Sequence, residues 1–185
     1  AEDTEVKVTA TLTYKEETRT KEFILNVKAA PEEIEESDYT DYFFAYFAGE
    51  GYSDGEQIYF ASSRDGLNWD DLNNNEPVLT STLGEQSVRD PFIIRSPEGD
   101  KFYLIATDLC IGSNDIANGT VDWGTSQFDG SHCLRVWEST DLVNWSEPWL
   151  AEVAPEGTTC AWAPESIYDE STGEFVVYWA SMTGS

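Results

Sequence analysis

The sequence is poor in basic residues and contains no long apolar run. Its 185 residues include 10 Lys and Arg against 36 Asp and Glu, which gives a formal net charge of −26. A surface with that charge repels the phosphate backbone of nucleic acids, so we expect no nucleic-acid partner. No apolar run approaches the roughly 20 residues that a membrane-spanning helix needs, so no membrane-spanning segment is expected.

Cysteine and histidine are also scarce. Cys110, Cys133 and Cys160 do not have the spacing of a zinc site. Cys110 and Cys133 flank a polar insertion, residues 111–132, and the sequence leaves open whether a disulfide joins them at its neck. His132 is the single histidine and lies among Gly, Ser and Asp residues. We interpret it as a surface residue, and we predict no metal site.

Aromatic residues are abundant: the chain has 7 Trp, 9 Tyr and 9 Phe, or 14% of its length. This content is too high for a disordered chain. Aromatic richness together with acidity suits a protein that handles neutral sugars, because sugar C–H faces stack on indole and phenol rings. An aromatic β-sheet core is the alternative interpretation.

Asp90 stands directly before Pro91 at the start of an apolar stretch rich in β-forming residues. Because a residue before proline is pushed out of the helical region, we predict that Asp90 is extended and begins a strand. Two β-prone runs, residues 92–94 and 102–106, flank turn residues at 96–100. This pattern predicts a β-hairpin with an acidic residue at its entrance.

The hairpin occurs twice, because Pro91 and Phe102 both recur 73 positions later. A second motif, Ser-x-Asp-x-x-Asn-Trp, occupies residues 63–69 and recurs 76 positions later at 139–145. We interpret its Asp and Asn as turn-forming and its Trp as packed between sheets. A fixed internal period is typical of repeat architectures. Strands with short turns, in units of about 75 residues, favour a β-propeller over a single sandwich.

The pattern predicts an all-β chain with two parts. Alternating residues in 1–28 predict a hairpin with one solvent-facing side, which we interpret as the last strands of a sandwich domain. Residues 29–39 are interpreted as an acidic linker, and residues 40–185 as the propeller part. Propellers typically contain about four to eight blades. We therefore expect the chain to be a fragment that holds the first blades of an incomplete propeller.

Residues 40–185 resemble glycoside hydrolase family 43, five-bladed β-propeller enzymes that act on arabinan, xylan and related plant polysaccharides. The resemblance is carried by the Arg-Asp-Pro-Phe segment at 89–92, the following strand at 102–107, the motif at 139–145 and the Ala-Trp-Ala-Pro-Glu segment at 161–165. Residues 1–28 resemble the end of a bacterial immunoglobulin-like module.

The resemblance implies an inverting glycosidase in which Asp90 is the general base that activates water. It places Trp162 in the wall of the subsite for the cleaved sugar and Glu165 at a pocket-facing position. Asp108 and Arg89 complete the candidate substrate-binding residues. Alternatives stay open: Asp90 as a plain strand-start acid, Trp162 as core, and Glu165 as a second catalytic carboxylate or an acid paired with Arg89.

The resemblance further implies a secreted or cell-surface enzyme of bacterial type that hydrolyses α-L-arabinofuranosides or β-xylosides. The general acid and a third carboxylate are expected in later blades, so the parent protein is expected to be active and this part alone inactive. The base-catalysed step requires no metal, and no cofactor is expected; the sequence leaves open a structural calcium ion on the propeller axis. The alternatives are a non-catalytic glycan-binding propeller and an adhesin that binds proteins.

Overall fold

The structure is a computed structural model that describes residues 4–15, 17–27, 40–112 and 123–183. The chain divides into two compact units, residues 1–40 and 41–185. The expected acidic linker at 29–39 lies outside the described residues.

The first unit contains the predicted hairpin. Strands β1 (Thr4–Tyr14) and β2 (Glu17–Val27) pair antiparallel along their full length. Apolar side chains of this hairpin, such as Val6 and Phe23, are each 42% exposed. The hairpin is therefore confirmed, whereas its assignment to an immunoglobulin-like module stays a prediction.

The second unit contains three antiparallel sheets built from strands that follow one another in the chain. The first has β3 (Tyr42–Tyr46), β4 (Tyr59–Ser63) and β5 (Asp70–Asp71). The second has β6 (Val88–Arg95), β7 (Phe102–Asp108), β8 (Cys133–Ser139) and β9 (Trp149–Glu152). The third has β10 (Trp162–Asp169) and β11 (Glu174–Ala180). The predicted repeated hairpins are β6–β7 and β10–β11.

The four-stranded sheet is covered on both faces, which explains the nearly continuous apolar run of β7. Leu104 is fully buried in a cluster that reaches β4 through Phe60. Ile105, on the opposite face by strand alternation, packs in a second cluster that reaches β11 through Phe175. Sheets that pack face to face in chain order form part of a β-propeller, as the sequence predicts.

Two short helices occur among the described residues of the second unit. One is a 3-10 turn, Asn73–Asn75, and the other is α1, Trp123–Phe128. The sequence predicted an all-β chain, and the six-residue helix α1 is a short exception to that prediction. No helix in the described part of the chain is long and apolar enough to cross a membrane.

All three cysteines are free thiols, so the disulfide considered between Cys110 and Cys133 is absent. Cys110 is buried, where its Sγ lies 2.9 Å from the Ser87 hydroxyl that donates to it. His132 is half-buried rather than a fully exposed surface residue.

The repeated Ser-x-Asp-x-x-Asn-Trp motif forms the same turn twice. Oδ1 of Asp65 accepts hydrogen bonds from the backbone N–H groups of Leu67 and Asn68, both at 2.8 Å. Asp141 makes the equivalent bonds at 2.9 and 2.7 Å. These bonds lower the pKa of both carboxyl groups, that of Asp141 to about 2. The contacts confirm the interpretation of these acids as turn-forming.

Candidate active site

Asp90 lies at a β-bulge in β6. The register between β6 and β7 shifts between Arg89 and Phe92, so Asp90 and Pro91 fall outside the regular ladder. Pro91 has no N–H to donate, which suits this interruption. Asp90 has φ of 50°, so the predicted extended geometry is wrong. Aspartate tolerates the left-handed region better than most residues, and the bulge requires the bend.

The second hairpin repeats this bulge in β10. Its register with β11 shifts between Trp162 and Glu165. Ala163, which precedes Pro164, has φ of 49°. The two hairpins thus share the same backbone at the residue before proline, but only the first carries an acid there.

One oxygen of the Asp90 carboxylate is fixed by the protein. Oδ2 accepts a hydrogen bond of 2.8 Å from the hydroxyl of Thr107. Thr107 is fully buried, and its Oγ1 accepts a second bond of 2.8 Å from the backbone N–H of Ala163. Asp90 itself is half-buried, and among the described residues its Oδ1 accepts no hydrogen bond. An anchored carboxylate with one open oxygen has the geometry of a general base that takes a proton from water.

Arg89, next to Asp90, is held by two acids and two rings. Its Nη1 donates to Glu56 at 2.8 Å and to Glu50 at 3.0 Å. The guanidinium lies 4.7 Å from the ring centre of Phe47 and 5.9 Å from that of Trp123. The Arg89 side chain is only 13% exposed, which limits the surface that it can offer to a substrate.

Glu165 lies on the exposed side of the second hairpin. Its Oε2 accepts a hydrogen bond of 2.7 Å from the hydroxyl of Tyr178, the residue opposite it on β11. This bond raises the pKa of Tyr178. The alternative in which Glu165 pairs with Arg89 is wrong, because the partners of Arg89 are Glu50 and Glu56.

Trp162 and Trp123 form an aromatic corner. Their ring centres are 6.3 Å apart and their planes meet at 75°. Trp162 is half-buried, and its indole N–H is buried without a hydrogen-bond partner among the described residues. Trp123 is 44% exposed, so part of its ring is accessible to solvent. Two rings at nearly a right angle can contact two sides of one sugar ring.

Asp108 is buried away from solvent. It is 1% exposed and forms an ion pair with Arg135, which is fully buried. Its carboxylate also accepts hydrogen bonds from the backbone N–H of Glu85 at 3.1 Å and from the hydroxyl of Ser131 at 2.6 Å. With its oxygens occupied in this way, Asp108 is a structural acid, and the expected substrate contact is not supported.

Glu85 lies beside Asp108. It accepts N–H bonds from Cys110 at 2.9 Å and from Ser131 at 3.2 Å. Burial raises its pKa, and the nearby charge of Asp108 adds to this effect. Within the described ranges, no group of three His, Cys, Asp or Glu side chains could hold a metal ion.

Sequence reasoning did not identify three residues of this region: Trp123, Thr107 and Glu56. Trp123 was visible as the one tryptophan of the mostly polar insertion at 111–132. Thr107 lies in a predicted strand, where only its hydroxyl distinguishes it from the apolar residues before it. Nothing in the sequence indicates the role of Glu56, because its partner Arg89 is 33 residues away in the chain.

Comparison with known proteins agrees with this architecture. A curated α-L-arabinofuranosidase of Bifidobacterium longum subsp. longum is 34% identical over 134 residues. The match covers 69% of this chain and 12% of that protein, so the chain spans only a small part of its relative.

Two crystal structures of an exo-β-1,3-galactanase from Phanerochaete chrysosporium, both with β-1,3-galactotriose, are similar in fold. Each has a TM-score of 0.50 and 12% sequence identity, covering 78% of this chain and 30% of the galactanase. Residues 37–185 also match a family described as a probable glycosyl hydrolase domain, related to glycosyl hydrolase family 43. The chain therefore belongs to the family 43-related glycosyl hydrolases.

Proposed function

We propose that the whole protein is an inverting glycosidase that removes α-L-arabinofuranosyl or β-xylosyl residues from plant polysaccharide, with Asp90 as its general base. The observation that carries this proposal is the Asp90 carboxylate, with Oδ2 anchored by Thr107 and Oδ1 open. Membership of a glycosyl hydrolase family supports the reaction type. The arabinofuranosidase relative supports the sugar class.

In the proposed reaction, Asp90 removes a proton from a water molecule, and the resulting hydroxide attacks the anomeric carbon. The bond to the leaving oxygen breaks on the opposite face of the sugar, where a protonated carboxyl group donates a proton to that oxygen. Inversion places this acid roughly 6.5–9.5 Å from the base, with room for the water between base and sugar. We assign the acid to a part of the protein outside this chain.

The aromatic corner, Trp123 and Trp162, is proposed to bind the sugar. Arg89 supports this role through its contact with the ring of Trp123, while two acids hold its guanidinium in place. Glu165 is proposed as a polar contact at the edge of the substrate, because it is exposed and its carboxylate is oriented by Tyr178. Neutral sugars suit this composition, since ring stacking tolerates the negative charge of the protein.

Replacement of Asp90 by Asn in the full-length protein tests the proposal. We expect kcat/KM for 4-nitrophenyl α-L-arabinofuranoside and 4-nitrophenyl β-D-xylopyranoside to fall about 10²- to 10⁴-fold, the usual contribution of a general base. The assays contain EDTA, because the proposed step uses no metal. Asp100→Asn is the matched control, since Asp100 lies in the turn at the other end of the same hairpin, where Ser96 donates to it.

Full turnover by the Asp90→Asn protein would remove Asp90 from the mechanism. A wild-type protein that binds arabino-oligosaccharides but hydrolyses neither probe would favour the non-catalytic glycan-binding alternative. Release of a product with retained anomeric configuration, followed by NMR, would refute inversion.

A further inference from the structure

Thr107 connects Asp90 to the second hairpin through a single hydroxyl group. We propose that Thr107 is a positioning residue, which fixes the Asp90 carboxylate for catalysis only when β10 is docked against β6 and β7. This inference rests on the proposed role of Asp90 as general base.

The direction of both hydrogen bonds is set by chemistry. The backbone N–H of Ala163 can only donate, so Thr107 Oγ1 must accept that bond, which is 2.8 Å long. An ionised carboxylate can only accept, so the single hydroxyl proton of Thr107 must point to Asp90 Oδ2, also at 2.8 Å. Thr107 is fully buried, so water does not compete for either bond. The hydroxyl therefore has one arrangement.

The internal repeat shows that the bulge does not need this hydroxyl. In the first hairpin Thr107 pairs with Arg89 beside the bulge. In the second hairpin Ala180 holds the equivalent place and pairs with Trp162. The backbone before proline is the same in both, with φ of 50° at Asp90 and 49° at Ala163. A hydroxyl is present only where the bulge carries an acid, which ties it to that acid.

The bond from Ala163 makes the orientation of Asp90 depend on the neighbouring sheet. Without it, the Thr107 hydroxyl could rotate, and the Asp90 side chain would regain rotamers that point away from the attacking water. Misplacement of a catalytic group by about 1 Å can lower a rate by about 10²-fold. The second bulge thus acts on the reaction without contacting the substrate.

The test compares Thr107→Val with Thr107→Ser in the full-length protein, using 4-nitrophenyl α-L-arabinofuranoside. Val keeps the shape of Thr and removes the hydroxyl, and we expect kcat/KM to fall about 10- to 100-fold, mainly through kcat. KM should change little, because the proposed role of Thr107 involves no contact with the sugar. Thr107→Ser should restore kcat and kcat/KM to within about threefold of wild type, because serine keeps the hydroxyl.

Ile94→Val is the matched control, because Ile94 is a core residue of the same hairpin with 8% exposure and no polar group. It should lower stability without lowering kcat. Near-UV circular dichroism checks folding. If Thr107→Val does not fold, Thr107→Cys replaces it, since a thiol is a weaker donor and acceptor, and a loss of kcat at little changed KM is again expected.

Wild-type kinetics in Thr107→Val, or equal losses of kcat in the Val and Ser variants, would overturn the inference and leave the proposed function standing. Activity retained in Asp90→Asn would instead refute the proposed function. The two failures are therefore distinguishable.

Discussion

The ion pair between Asp108 and Arg135 offers a sharp test of the structure. Both residues belong to the four-stranded sheet and are buried: the Asp108 side chain is 2% exposed and the Arg135 side chain 0%. Asp108→Asn keeps the shape of the side chain and removes its charge. The guanidinium of Arg135 then loses its carboxylate partner and keeps two neutral ones, the Ser81 hydroxyl and the Leu83 carbonyl. Its positive charge stays buried, because the Arg135 side chain is not accessible to water.

We expect the free energy of unfolding to fall by about 3–5 kcal/mol, because removal of one partner leaves an uncompensated buried charge. Domains of this size are stable by only about 5–15 kcal/mol, so the loss is a large part of the total. With an m value of about 2 kcal/mol per molar urea, a loss of about 4 kcal/mol lowers the urea midpoint by about 2 M.

Glu138→Gln is the control, because it breaks an ion pair at the surface of the same sheet. Lys101 and Glu138 are 3.5 Å apart, and their side chains are 41% and 44% exposed. Exposed pairs of this kind contribute about 0–1 kcal/mol, so the urea midpoint should change little.

Urea unfolding followed by tryptophan fluorescence measures both variants, and the buried Trp137 on β8 is a suitable reporter. A substrate-binding role for Asp108 makes the opposite prediction, with kcat/KM reduced and stability unchanged. A wild-type urea midpoint in Asp108→Asn would therefore contradict a structural role for Asp108.

Two further predictions concern the second turn motif and the aromatic corner. The pKa of Asp141 is about 2 in the folded chain, below its unfolded value, chiefly because the N–H of Asn144 donates to it. The stabilisation by the Asp141 carboxylate is complete above its unfolded pKa and is lost as pH falls through about 2. The difference in free energy of unfolding between wild type and Asp141→Asn should therefore decrease from pH 5 to pH 2. A difference that stays constant over this range in urea unfolding would contradict the prediction. Trp123→Ala should raise KM for arabino-oligosaccharides roughly 5- to 15-fold with kcat little changed, because the sugar loses a ring to stack on. This change corresponds to about 1–1.5 kcal/mol of binding energy. An unchanged KM would exclude stacking on Trp123.

The features that sequence reasoning predicted are local in the chain. Alternation and turn residues define the hairpins, and the two turn motifs depend on bonds from Asp65 and Asp141 to residues two and three positions later. The repeat adds a second, independent copy of each pattern. Patterns of residues close together in the sequence therefore predict most of the fold, and they correctly locate Asp90 near the start of a hairpin.

The features that were missed depend on residues far apart in sequence. Arg89 meets Glu56 across 33 positions, and Thr107 meets Ala163 across 56. The positive φ of Asp90 follows from the register of β6 on β7, which overrides the local preference of a residue before proline. Asp108 was expected to bind substrate, but it is buried in an ion pair with Arg135, which lies on the next strand.

Strand order has a consequence for biosynthesis. Because every sheet is made of strands adjacent in the chain, each can close soon after its last strand leaves the ribosome, with little loop-closure entropy lost. The last residue of β9 is Glu152 and that of β11 is Ala180. At about 5–20 residues per second, synthesis of β9 therefore ends roughly 1–6 s before that of β11. The acid at residue 90 is made early but gains its fixed direction late, when Ala163 arrives. Synthesis of β10 thus completes the positioning of the Asp90 carboxylate.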